Sequence, residues 1–221
     1  MNNYLLPLEK QFKKHADKTK AEGARAYLLN QFDFYGIPMA QRRQLCKDFI
    51  KANPLLSVAE VEKTVKQAWQ LPEREWQYFA IELLVQYKKQ WKVSTMKLIE
   101  YCITHKSWWD TVDHIASEWT GPYFKLFPGQ VKAVTNRWNR SRNIWLQRSS
   151  LLFQKQYKLQ TDTKLLTKYI LHCAGSNEFF LQKAIGWALR EYGKANPDWD
   201  KAFVSQHTLR PLSSREALKN L

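Results

Sequence analysis

The chain has 221 residues, with 35 Lys and Arg against 20 Asp and Glu, a formal net charge of +15. A hydrophobic content of 44% and an aromatic content of 14% exclude a disordered basic tail. Seven glycines argue against folds built on glycine-rich phosphate loops, and a mean hydropathy of −0.55, with no apolar run near the roughly 18 residues of a span, argues against a membrane protein.

The N-terminal run Met1 to Pro7 has no basic region leading into a long apolar stretch, which predicts no secretory signal. From there the pattern is helical throughout. Helix starts are expected near Pro38, Ser57, Glu73, Ser94, Ser107, Pro128, Arg142, Thr161, Asn177, Pro197 and Ser213. Three of these have the form of capping boxes: Ser57 with Glu60, Ser107 with Asp110, and Ser213 with Glu216. Between the starts apolar residues recur at three and four, as in Ala184, Ile185, Ala188 and Leu189, and no stretch alternates with period two. The fold class is all-α.

The starts form two interleaved series, 38, 73, 107, 142, 177, 213 and 57, 94, 128, 161, 197, each repeating every 33 to 37 residues. The run Trp145-Leu146-Gln147-Arg148 lies 35 residues before Phe180-Leu181-Gln182-Lys183, and Gln77 lies 70 before Gln147. This period predicts one domain, residues 1–221: an α-solenoid of about six HEAT-like antiparallel helix pairs, curved around a concave basic groove. The pair at roughly residues 3–34 fits least well.

Equivalent positions in stacked repeats share a face. The column through Asp113 reads Tyr78, Asp113, Arg148 and Lys183 at steps of 35, with Trp109 and Trp187 one helical turn away and Arg190 beyond. Between Glu118 and Asp162 no acidic residue occurs, while Lys125, Lys132, Arg137, Arg140, Arg142, Arg148, Lys155 and Lys158 supply eight positive charges. Two indoles and a carboxylate suit a cation, and surrounding Lys and Arg suit phosphates. The ligand these needs describe together is DNA with a positively charged base. Read separately, Trp109 and Trp187 fit core positions, Asp110 a capping acid, and Asp113 a surface carboxylate paired with Arg148, an ion pair of small net value.

Cys46, Cys102 and Cys173 are widely spaced and fit a reducing cytoplasm. Cys102 and His105 at i,i+3 have no second ligand pair at zinc spacing, so no metal is expected.

These segments resemble the AlkD-like DNA alkylation repair proteins, HEAT-like repeat glycosylases of 3- and 7-alkylpurines. The matching runs are Tyr27 to Phe34 with Gly36-Ile37 and Arg42-Arg43-Gln44-Leu45; Leu71 to Glu75; Lys106 to Asp113; Asn143 to Arg148; Phe179 to Trp187 with Arg190-Glu191-Tyr192; and Pro211-Leu212-Ser213 with Arg215-Glu216-Ala217. Ser149-Ser150 is more polar than the small apolar pair expected after Arg148. The resemblance implies Asp113 as the catalytic carboxylate, Trp109 and Trp187 as walls of the lesion cleft, and Arg148 on the DNA backbone. Tyr27 and Arg190 match groove positions. Lys183 on the column, Arg43 in its matching segment and Lys155 in the acid-free tract complete the expected DNA contacts. The expected activity is monofunctional base excision from alkylated duplex DNA by a cytoplasmic monomer without cofactor. A non-catalytic helical-repeat nucleic-acid binder is the alternative reading.

Overall fold

The computed structural model describes residues 3–55 and 57–219, and these are all-helical: no strand occurs among them, only an isolated bridge between Asp33 and Glu73. The chain divides into two compact units, residues 1–98 and 99–221.

The first unit holds α1 (Leu6–Lys14), α2 (Lys18–Tyr27), α3 (Met39–Ala52), α4 (Val58–Gln70) and α5 (Arg74–Gln86). Ser57 and Glu60 form the expected capping box at the start of α4. Helices α4 and α5 pack together around fully buried Trp69, Trp76 and Phe79. Gly36 has φ +84°, and the backbone N–H groups of Tyr35, Gly36 and Ile37 all donate to the buried Glu75 carboxylate. Burial raises the Glu75 pKa, and these three donors oppose the rise.

The unit boundary falls within α6 (Thr95–Thr104). The second unit then holds α7 (Trp109–His114), a π-helical turn (Ile115–Thr120), α8 (Gly121–Leu126), α9 (Val131–Asn139), α10 (Ile144–Leu152), α11 (Thr163–Cys173), α12 (Phe179–Gly193), α13 (Pro197–Gln206) and α14 (Pro211–Ala217). Pro122 has no N–H to donate back into the preceding turn, and the widened π segment just before it relieves the ladder there. Helix α10 packs between α7 and α12, and α12 packs on α14.

Most helices begin within two residues of their expected starts, because the entry signals are local. Two of the three expected capping boxes do not form. Ser107 does not cap α7: its hydroxyl donates to the Ile103 carbonyl at 2.6 Å, and Trp108 is the N-cap, with no side-chain cap. Ser213 donates to the Gln182 carbonyl at 3.0 Å, and α14 already starts at Pro211. In both cases a neighbouring helix offers the hydroxyl a better acceptor than its own backbone does.

The repeating glutamine has a physical role. The Gln77 amide donates to the carbonyls of Ala68, Trp69 and Leu71 at the end of α4. Gln147 donates to the Asn139 carbonyl ending α9, and Gln182 to Ser176 just past α11. Each satisfies carbonyls that a helix C-terminus leaves without intrahelical partners. Ser149 and Ser150, both buried, are satisfied in the same economical way, donating to the carbonyls of Trp145 and Gln147.

Candidate functional site

A cavity of about 320 Å³ opens in the second unit, lined by Trp109 and Asp113 of α7, Arg148 of α10, Phe179, Phe180, Lys183, Trp187 and Arg190 of α12, and Glu216 of α14. The column Asp113, Arg148, Lys183 therefore meets in one place. Glu216 extends it by a further 33 residues, one more period.

At the centre stands a buried ion pair. Arg148 Nε donates to Asp113 Oδ1 and Nη2 to Oδ2, both at 2.7 Å, with Asp113 6% and Arg148 3% exposed. A third guanidinium donor, Nη1, bonds the Phe180 carbonyl, so Arg148 spans α7 and α12. A parallel two-bond fork fixes the plane of the carboxylate as well as its position. Removing one partner of such a buried pair costs about 3–5 kcal/mol, whereas a surface pair contributes about 0–1 kcal/mol. The pairing foreseen for Asp113 is thus present, but buried rather than superficial.

Behind the pair, Trp108, Trp145 and Phe180 form an aromatic triangle with ring centroids 5.1 to 5.7 Å apart. It packs the starts of α7, α10 and α12 together and sets the depth of the cavity floor. Trp187 forms one wall. Its Nε1 donates to Glu191 Oε1 at 3.0 Å, which fixes the ring, and the Lys155 ammonium sits 3.8 Å from the ring centroid. Burial lowers the Lys155 pKa, with the Asp113 and Glu191 carboxylates opposing the shift.

At the rim, Glu216 takes Lys183 at 2.9 Å and Arg190 at 3.2 Å, and Arg190 also donates to the Glu216 backbone carbonyl. The Lys183 hydrogen bond, with that of Arg190 behind it, holds the Glu216 carboxyl below its usual range. Gly186 makes this possible. A Cβ there would lie 2.5 Å from the Glu216 Cβ and 2.7 Å from the Ser213 carbonyl, so only glycine lets α14 approach α12 this closely.

Trp109, Asp113, Arg148, Lys183, Trp187 and Arg190 line the cavity together, and Lys155 stands against its Trp187 wall. Tyr27 and Arg43 lie in the first unit. Tyr27 is 71% exposed at the end of α2, and Arg43 is exposed on α3 with Glu82 4.0 Å away. Sequence reasoning passed over Phe179, Phe180 and Glu216. Phe180 carried a signal, since it stands one period after Trp145, and Glu216 stood in the place of a capping acid. Among the described residues no group of three or more His, Cys, Asp or Glu is placed to hold a metal ion. Cys102 is buried, and His105 stacks on Tyr101 with ring centroids 4.1 Å apart.

Comparison with known proteins places the whole chain in one family. The family model described as DNA alkylation repair enzyme matches residues 8–221. A solved structure described as a predicted DNA alkylation repair enzyme from Enterococcus faecalis superposes with a TM-score of 0.87 at 31% identity, covering 94% of this chain and 97% of that one. No curated protein matches the chain. With nearly the whole length matched by the family model, the chain belongs to the DNA alkylation repair enzyme family.

Proposed function

We propose that the chain is a monofunctional DNA glycosylase that hydrolyses the N-glycosidic bond of cationic 3- and 7-alkylated purines in duplex DNA. The observation that carries this reading is Asp113, buried and oriented by the Arg148 fork inside a cavity walled by Trp109 and Trp187. A helical-repeat solenoid of HEAT-like pairs is the architecture proposed around it, supported by the 35-residue column and by the glutamines that close successive helix ends.

Alkylation at purine N3 or N7 makes the base a cation. When the bond from C1′ to N9 breaks, its electron pair stays with the purine, which leaves neutral and needs no proton. The positive charge moves to the deoxyribose as an oxocarbenium ion, as in glycoside hydrolysis. Asp113 meets that charge with a carboxylate already turned and desolvated, so no reorganisation is required as the charge develops. Each of its oxygens accepts one bond from Arg148 and keeps a lone pair, one of which orients the water that adds to C1′, whose surplus proton passes to solvent as the C1′ hydroxyl forms. The indole faces of Trp109 and Trp187 favour the cationic base before cleavage and the cationic sugar during it. Arg148 uses three of its five N–H donors within the protein, making it a positioning residue that keeps two for a phosphate. Lys183, Arg190, Lys155, Tyr27 and Arg43 are the further proposed contacts to DNA.

Duplex DNA methylated to carry 7-methylguanine and 3-methyladenine is the test substrate, with release of free base as the readout. Release by the wild-type chain and its loss in Asp113→Asn support the proposal. Binding without release returns the chain to the non-catalytic alternative.

A further inference from the structure

A second cavity, of about 1010 Å³, is bounded by the turn after α10 and the C-terminal ends of α8 and α12. Four lysines line it: Lys125, Lys155, Lys158 and Lys194. Its one carboxylate, Glu191, is already engaged by Trp187 Nε1 and by Lys194 at 2.7 Å. Four cations against one carboxylate leave a strong positive excess in a concave surface, where field lines converge.

The cavity is built rather than incidental. Lys158 has a left-handed backbone, φ +51°, which costs a non-glycine residue of order 1 kcal/mol or more. The conformation is held by hydrogen bonds from Gln160 N to the Tyr157 carbonyl and from Thr161 N to the Lys158 carbonyl. Tyr157 is itself pinned by its hydroxyl to the Gly121 carbonyl at 2.7 Å, and the Lys125 ammonium lies 4.7 Å from its ring centroid. Lys158 is exposed and forms no ion pair among the described residues. The turn spends backbone strain to present a cation with nothing of its own to neutralise.

We infer that this cavity seats backbone phosphates flanking the lesion nucleotide, an assignment that rests on DNA being the ligand. Lys155 joins the two cavities, lining this one while its ammonium faces the tryptophan that walls the other. A strand with its damaged nucleoside beside Trp187 therefore runs its next phosphates among the lysines. Ammonium groups act as point charges without a fork, so the cavity grips the backbone without reading sequence.

The test uses the full chain and undamaged duplex DNA, with binding followed by fluorescence anisotropy across a salt series. The variant Lys125→Glu/Lys158→Glu changes two exposed side chains, and its melting temperature is compared with wild type. At least a tenfold loss of affinity, with the slope of log K against log salt reduced by about 2, supports the site, since each phosphate contact contributes about 0.9 to that slope. In a second duplex, carrying one tetrahydrofuran abasic site where the lesion nucleotide would stand, single methylphosphonate linkages then replace phosphates one to three positions on either side of that site. At one position the neutral linkage weakens wild type several-fold and leaves the variant unaffected. Unchanged affinity and slope in a variant that melts like wild type overturn the site. Equal losses in wild type and variant at every linkage do the same. A chain that shows these lysine effects but releases no base keeps this site and loses the glycosylase reading.

Discussion

Asp113 and Arg148 stand 35 residues apart and meet through two parallel hydrogen bonds of 2.7 Å, so the period of the sequence has become an ion pair. Replacing Asp113 with Asn keeps the volume and some hydrogen bonding to Arg148 but removes the negative charge. Base release is expected to fall at least a hundredfold while affinity for undamaged duplex changes little. Arg148→Ala leaves the carboxylate buried without its partner, and at about 3–5 kcal/mol it lowers the melting temperature by roughly 6 to 20 °C. Arg148→Lys keeps the charge and loses the fork, so its melting temperature falls less while single-turnover release still drops tenfold or more. Wild-type release from Arg148→Lys would show that the fork does not orient the carboxylate.

The chemistry also predicts which lesions are refused. Both carboxylates in the cavity are ion-paired, Asp113 with Arg148 and Glu216 with Lys183 and Arg190. Neither is poised to donate a proton to a leaving base. Uracil, which is neutral, is expected to stay in DNA at enzyme concentrations that release all 7-methylguanine within minutes, measured by chromatography of the freed bases. Comparable rates for the two would place a general acid in the site and contradict the mechanism.

Glu216 sets how strongly the rim attracts phosphate. Its carboxylate occupies the two cations that α12 presents there, Lys183 and Arg190. Glu216→Gln frees Lys183, while Arg190 keeps its bond to the backbone carbonyl of residue 216, and duplex affinity at low salt is expected to rise about three- to tenfold with a salt slope steeper by about 1. An unchanged slope would mean that Lys183 does not reach a phosphate.

How far the sequence led can be seen at individual residues. Stacking of equivalent positions made Asp113, Arg148 and Lys183 legible as one face, because a 35-residue period needs no knowledge of side-chain packing. Glu216 was opaque for a local reason: Ser213 and Glu216 satisfy the capping-box pattern, and only the nearness of α12 at Gly186 turns both side chains outward from their own helix. The burial of the Asp113 pair was hidden too. Whether an arginine meets a carboxylate or a phosphate depends on ångström-scale distances that spacing does not encode. The lysines of the acid-free tract also separate only in three dimensions. Arg137 pairs with Glu100, whereas Lys125, Lys155 and Lys158 gather around one cavity.

Gly186 sits inside α12, where alanine ordinarily stabilises a helix by about 1 kcal/mol over glycine. Here the added carbon meets the Ser213 carbonyl at 2.7 Å, and a backbone atom cannot swing aside. Overpacking of about 1–3 kcal/mol outweighs the propensity gain. Gly186→Ala is expected to lower the melting temperature by a few degrees and, by pushing α14 away, to reproduce part of the Glu216→Gln rise in DNA affinity. A variant more stable than wild type would show that α14 yields freely.

Asp200 on α13 is fully buried, and neither of its carboxylate oxygens has a hydrogen-bond partner among the described residues. It packs against Gly193 of α12, where a Cβ would come within 2.7 Å of Oδ2. Burial alone pushes its pKa up to about 6, against about 4 in an unfolded chain. A raised carboxyl pKa means that folding favours the protonated form. The stability tied to that proton is complete below pH 4 and is lost as the pH climbs through 6, the loss reaching on the order of 2–3 kcal/mol above pH 7. Asp200→Asn, which is neutral at every pH, is therefore expected to match wild type near pH 4 and to melt several degrees higher at pH 7.5. The quantity to measure is the difference between the two melting curves as a function of pH. A difference that stays flat from pH 4 to 8 would show that the Asp200 carboxyl ionises in the folded protein as it does in the unfolded chain, with solvent or a partner offsetting its burial.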